Sequence, residues 1–172
     1  MSIILGIDPG SRATGIGLIA IKKNEPTPLH HTTITTPQGA PLSERLGVIY
    51  EAITTIITTY QPTTVSIESI FFHKNAQSAL KLGQARGAAL CAVAAFQLPV
   101  HEYAPRAVKQ AIVGKGAAAK TQIQYMVKLL LNLPTTPAPD AADALAIAIT
   151  HAHHQRVKTT LKSSQITAGD GA

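Results

Sequence analysis

Acidic side chains are scarce in this chain, with nine aspartates and glutamates among 172 residues against fifteen lysines and arginines. The resulting formal net charge of +6 suits a polyanionic partner, although a well-solvated basic surface has the same composition. Cysteine occurs once, at Cys91, which excludes an intramolecular disulfide and a multi-cysteine zinc site. The run around it, Ala88-Ala-Leu-Cys-Ala-Val93, is apolar, so a buried thiol is expected. No apolar run free of polar residues reaches membrane-spanning length. The first residues lack the basic flank and cleavage site of a signal peptide. These two absences lead to the expectation of a soluble, cytoplasmic protein with no membrane partner. Charged residues total only 14% and hydrophobic ones 45%, which excludes a disordered chain and suffices for one domain with a full core.

Hydrophobic patterning then sets the element order. Ile3 to Ile7 reads as a buried strand closed by Asp8, because Pro9-Gly10 is a turn signal. Thr14–Ile21 and Leu29–Thr36 are two more strands, which suggests an antiparallel meander. A helix follows, with Ser43 as its expected N-cap and Leu46, Ile49, Ile53, Ile56, Ile57 and Tyr60 at helical spacing. Thr64 to Glu68 is a strand, and Asn75 to Phe96 a long helix. The helix carries Ala76, Ala79, Gly83 and Gly87 on one face, open to another helix in the core or across a dimer. Pro99–Tyr103 is a short strand, and helices follow at Arg106–Val113 behind Pro105, Lys120–Leu131 and Asp140 to about His154. The whole predicts a mixed α/β sheet covered by helices, with one domain over residues 1–154 and a polar, flexible tail over 155–172.

Four of the nine acids stand where a metal site could form. Asp8 and Glu68 each end a predicted strand, and Asp140 and Asp143 lie three apart in the first turn of a helix, on one face. Converging carboxylates repel one another unless cations bind, and an all-oxygen set favours hard ions, so Mg2+ is expected and Mn2+ as a substitute. Two such ions can activate a water and stabilise the leaving oxygen of a phosphodiester. Each acid also has a plain alternative: Asp140 as an N-cap, Asp143 as a dipole partner, Asp8 as a turn aspartate. Glu68 has the weakest alternative, since strands disfavour glutamate. Between Phe71 and Pro139 eight basic residues (Lys74, Lys81, Arg86, Arg106, Lys109, Lys115, Lys120 and Lys128) face a single acid, Glu102, a skew that suits phosphate tracking. His151, His153 and His154 could bind zinc, but the negative end of a helix dipole explains them as well.

Four blocks carry a resemblance: Ile7-Asp-Pro-Gly-Ser-Arg-Ala-Thr-Gly15, Ile67-Glu-Ser-Ile-Phe-Phe72, Arg106-Ala-Val-Lys-Gln-Ala-Ile-Val-Gly-Lys-Gly116 and Asp140-Ala-Ala-Asp-Ala-Leu-Ala-Ile-Ala148. In order and nearly over the full length, they are similar to the RuvC family of Holliday junction resolvases. The resemblance implies a ribonuclease H-like fold, with a mixed five-stranded sheet flanked by helices on both faces. It further implies a homodimer that nicks a four-way DNA junction at symmetric positions, and cooperation with RuvA and RuvB. Metal-activated water would leave 5′-phosphate and 3′-hydroxyl ends, with Asp8, Glu68, Asp140 and Asp143 as metal ligands. By the same resemblance Lys109 and Lys120 serve catalysis and Phe71 meets the junction, with Phe72 as the competing ring. Lys74, Lys81, Arg86, Arg106 and Lys115 complete the expected DNA surface. Rival readings are a basic DNA-binding module, a nucleotide phosphotransferase built on Asp8-Pro-Gly, and a nuclease acting on RNA.

Overall fold

The computed structural model describes residues 1–69 and 76–169, the side chains of 158–169 excepted. Five strands form one sheet: β1 (Ser2–Asp8), β2 (Ala13–Lys22), β3 (Glu25–Thr35), β4 (Thr64–Glu68) and β5 (Val100–Tyr103), in the spatial order β3-β2-β1-β4-β5. β1, β2 and β3 pair antiparallel, whereas β1–β4 and β4–β5 pair parallel. The mixed sheet is therefore as expected. Strand β3 starts four residues earlier than its pattern suggested and runs through Pro26 and Pro28. Its place at the sheet edge tolerates them, because a missing N–H on an outer strand breaks no ladder.

Helices cover both faces. α1 (Leu42–Tyr60) and α2 (Ala76–Ala95) pack Ile49, Ile53, Ile57, Ala85 and Ala89 against Leu5, Ile7, Ile16, Leu18, Val65 and Ile67. On the other face α3 (Pro105–Val113), α4 (Lys120–Leu130) and α5 (Pro139–Gly169) enclose Ile4, Ile19, Val108, Ile112, Ile123, Val127 and Leu145. Side chains alternate across a strand, so Leu5 and Ile7 on the α1 side put Ile4, Gly6 and Asp8 on the α5 side. Val65 and Ile67 likewise turn Ser66 and Glu68 toward α5.

That face is shaped for one helix. A Cβ on Gly17 would lie 2.6 Å from the Leu145 nitrogen, and Cβ atoms on Gly6 and Gly15 would land on the carbonyl oxygens of Ala144 and Asp140. Only side-chain-free positions allow α5 to lie this close to β1 and β2. The helix answers with alanines at 141, 142, 144, 146, 148 and 152, all buried.

Several local expectations are corrected. Pro41, not Ser43, caps α1, and no side chain closes that end; Arg45 N donates to the Pro41 carbonyl at 3.2 Å instead. Cys91 is exposed, since α2 buries its Ala85, Ala89, Ala92 and Val93 face and turns Cys91 away. Gly83 and Gly87 meet nothing where a Cβ would stand, so the small-residue stripe of α2 is not a core contact among the described residues. Helix α5 continues to Gly169 rather than ending near His154. His151, His153 and His154 therefore lie mid-helix, and the dipole explanation for them falls. His151 is buried, stacked on His101 at 4.3 Å and hydrogen-bonded to the Tyr103 hydroxyl at 2.8 Å.

Gly17→Ala is expected to cost about 1–3 kcal/mol, because the added methyl overpacks the α5 contact. Gly47→Ala, in the interior of α1 with nothing within 4 Å of the new methyl, should instead gain roughly 0.5–1 kcal/mol. Thermal or urea unfolding of both variants beside the wild type checks the pair, and similar effects of the two would refute the close-packing account.

Candidate active site

Five strand ends meet at one edge of the sheet: β1, β3, β4 and β5 finish there and β2 begins there. Ile7 and Ile67 are partners in the parallel β1–β4 ladder, so Asp8 and Glu68 stand side by side one residue beyond, both toward α5. Pro139 opens α5, with Ala142 N donating to the Ala138 carbonyl at 2.8 Å. Asp140 is thus inside the first turn and is not the cap. The Gly15 contact holds that turn over β2 opposite Asp8, since Asp8 and Gly15 are ladder partners.

A cavity of about 270 Å³ results, lined by Asp8, Glu68, Lys109, Lys120 and Asp143 with Val108 and Ile123. Asp140 stands at its margin, close enough for its charge to act on Asp8, Asp143 and Lys120. Burial first, then the charges of Glu68, Asp143 and Asp140, pushes the Asp8 carboxyl from 3.8 up to about 8, against the pull of Lys120. Burial and Asp143 raise Glu68, opposed by Lys109 and Lys120. Asp143 is also raised, by burial, against the Lys120 ammonium. Lys120 sits on the first turn of α4, its ammonium 3.4 Å from the Asp143 carboxylate, with 71% of its side chain exposed. The attraction of Asp143 in turn holds the Lys120 proton above its usual range.

Two cations, Lys109 and Lys120, face four acids, which leaves an excess of negative charge, and burial with that excess raises Asp8, Glu68 and Asp143. Among the described residues no three His, Cys, Asp or Glu side chains stand together closely enough to hold a metal ion. Like charges of this number do not draw in unaided. The donors are carboxylate oxygens alone, hard ligands that fit a hard divalent ion.

The remaining expected contacts divide. Lys109 lines the cavity; Arg106 packs its chain over Gly116; Lys115 and Lys81 are exposed. Arg86 is engaged elsewhere: it ion-pairs with Glu102 at 2.6 Å, too bent for a hydrogen bond through that nitrogen, and its Nε donates to the Glu68 carbonyl at 3.4 Å. It therefore braces the ends of β4 and β5 from the α2 side. Phe71, Phe72 and Lys74 lie outside the described residues. Sequence reading missed Tyr103, the ladder partner of Glu68, and its bond to His151; strand pairing sets Tyr103 beside Glu68, and the packing of α5 on the sheet brings His151 to it.

Residues 4–151 match the family described as crossover junction endodeoxyribonuclease RuvC. The chain belongs to the RuvC family. A RuvC from Halorhodospira halophila is 52% identical over 161 residues, covering 93% of this chain and 95% of its own. One from Yersinia pestis is 52% identical over 171 residues, covering 99% and 98%. Among solved structures, Thermus thermophilus RuvC in complex with a Holliday junction substrate superposes with a TM-score of 0.85 at 38% identity, over 92% of this chain and 98% of that one. The sheet order and two-sided helical cover described above are the ribonuclease H-like fold of these RuvC proteins.

An acid whose folded pKa is raised binds its proton more tightly when folded. The stability this confers is complete below pH 3.8 and is lost as the pH rises through about 8. Without divalent ions, Asp8→Asn should therefore melt several degrees above the wild type at pH 8, a gain on the order of 2 kcal/mol. The difference should vanish near pH 4. Adding Mg2+ should raise the wild-type melting temperature more than that of the variant. Calorimetry across pH tests this, and a variant less stable than wild type at pH 8 would show that the acids do not repel.

Proposed function

We propose that the cavity is the cutting site of a Holliday junction resolvase, which nicks two strands of a four-way DNA junction at symmetric positions. The observation that carries this reading is the convergence of Asp8, Glu68 and Asp143 on one cavity, with Asp140 at its margin, in a chain of the RuvC family. Recombination and repair are the setting in which such an enzyme acts.

The carboxylates of Asp8, Glu68, Asp140 and Asp143 would hold the divalent ions, two Mg2+ by preference with Mn2+ able to substitute. Bound there, such ions activate a water against the phosphodiester and offset charge on the leaving oxygen. The protein's own groups do the rest. Asp8 and Glu68 are fixed by the β1–β4 ladder, and Asp140 and Asp143 by the seating of α5, so the acids cannot retreat from one another. Lys109 and Lys120 stand on α3 and α4 across the cavity and can hold phosphate oxygens through charge-assisted hydrogen bonds. Hydrolysis that leaves 5′-phosphate and 3′-hydroxyl ends yields nicks that can be sealed directly. Phe71, by family resemblance, is the ring that meets the junction.

A homodimer would match two such sites to the near-twofold symmetry of the junction. The outer face of α2 supports it: Leu80, Gly83 and Cys91 are exposed and Gly87 half-buried, an apolar stripe with no charge among the four. Family membership is the support for cooperation with RuvA and RuvB. No helix among the described residues is long and apolar enough to cross a membrane.

Asp8→Asn is expected to bind a synthetic four-way junction with near wild-type affinity and to cut it at least about a thousandfold more slowly with Mg2+ present, as for loss of a central transition-state stabiliser. Gel-resolved nicking beside a matched linear duplex is the measurement, and wild-type cutting rates in the variant would remove Asp8 from the site. Leu80→Glu should run as a monomer in light scattering and lose paired nicking; an intact dimer would exclude this face of α2.

A further inference from the structure

A second concentration of positive charge lies at the same end of the sheet. Arg12, Thr36, Pro37, Gln38, Gly39 and Arg45 line a cavity of about 270 Å³, and no acid is among them. The Arg45 guanidinium is held in place: its Nε donates to the Thr36 hydroxyl at 3.2 Å and its Nη2 donates to the Ser11 carbonyl. Both acceptors are neutral, so the charge is oriented without being cancelled. Arg12 is exposed beside it. Neither arginine forms a salt bridge; among the described residues those are Arg86–Glu102 and Lys120–Asp143. Two uncompensated guanidiniums in one concavity, with a glutamine amide beside them, make a site for an oxyanion, and the guanidinium fork matches phosphate in particular.

Where this pocket sits identifies the phosphate. Arg12 follows Asp8 by four residues, so their Cα atoms are at most about 14 Å apart. The connecting turn is pinned: Thr36 N donates to the Arg12 carbonyl at 3.0 Å, and the Thr36 hydroxyl donates to the Ser11 carbonyl at 3.1 Å. Successive phosphates of one DNA strand rise about 3.4 Å along the helix axis, which places the pocket within roughly four nucleotides of the acids. Lys109 and Lys120 approach from α3 and α4, whereas Arg12 and Arg45 approach from the β3 and α1 side. We propose that Arg12 and Arg45 form a phosphate-binding subsite that grips the strand being cut a few nucleotides from the scissile bond. The proposal rests on the junction-nuclease reading above.

The test is fluorescence anisotropy with a labelled four-way junction, in the absence of divalent ions and over a range of salt. Arg12→Ala, and Arg12→Gln to keep the side chain's length, should weaken binding severalfold and reduce the slope of log affinity against log salt by about 0.9. Lys22→Ala removes the same charge at the opposite end of β2 and should leave that slope unchanged. Equal losses in the Arg12 and Lys22 variants would reduce the pocket to bulk charge and overturn the subsite. Unchanged binding in both Arg12 variants would overturn it too. Wild-type protein that cuts the junction while Arg12→Ala binds it normally refutes the subsite alone; wild-type protein that neither binds nor cuts refutes the junction reading beneath it.

Discussion

The seating of α5 on bare backbone is the contact from which the rest of this protein is built. Gly6, Gly15 and Gly17 clear the α5-facing side of β1 and β2, and the helix can come no nearer or farther without losing its alanine contacts. The same contact fixes the first turn of α5 against the end of β1. The distance between a helix-borne pair of aspartates and a strand-borne aspartate is thereby set by packing in the core. A site made this way inherits the rigidity of the interior, where a shift of one methylene is costly.

What the packing assembles is electrostatically unfavourable by itself. Burial and mutual repulsion hold Asp8, Glu68 and Asp143 above their ordinary pKa values, and Lys120 compensates only Asp143 directly. Stability stored in the glycine–alanine interface and the two hydrophobic layers sustains this arrangement. Perturbed carboxylates crowded in a cavity are the signature of a working site more often than of a scaffold.

The sheet also sorts charge by direction. The end where β1 and β4 finish carries the acids at the centre, with lysines beyond them on α3 and α4 and arginines on the β3 side. Arg86 has a different task, because it joins Glu102 and the Glu68 carbonyl beneath the sheet edge. Counting basic residues between Phe71 and Pro139 could not separate these positions, since a lysine lining the cavity and an arginine bracing two strands contribute equally to net charge.

By itself the sequence determined whatever depends on neighbours along the chain. Period-two and helical patterns placed all five strands and five helices, and four sequence blocks, three of them carrying the acids, pointed to the family. Local chemistry misled where an end or a face was settled by distant contacts: Ser43 is no cap, Cys91 is outside, β3 passes through two prolines at a free edge, and α5 runs past His154. Only the tertiary structure decided that Asp8, Glu68 and Asp143 share a cavity, that Tyr103 meets His151, and that Arg12 and Arg45 stand together. Side-chain character is written residue by residue, but convergence of positions far apart along the chain is created by strand pairing and by how closely one helix can approach a glycine surface.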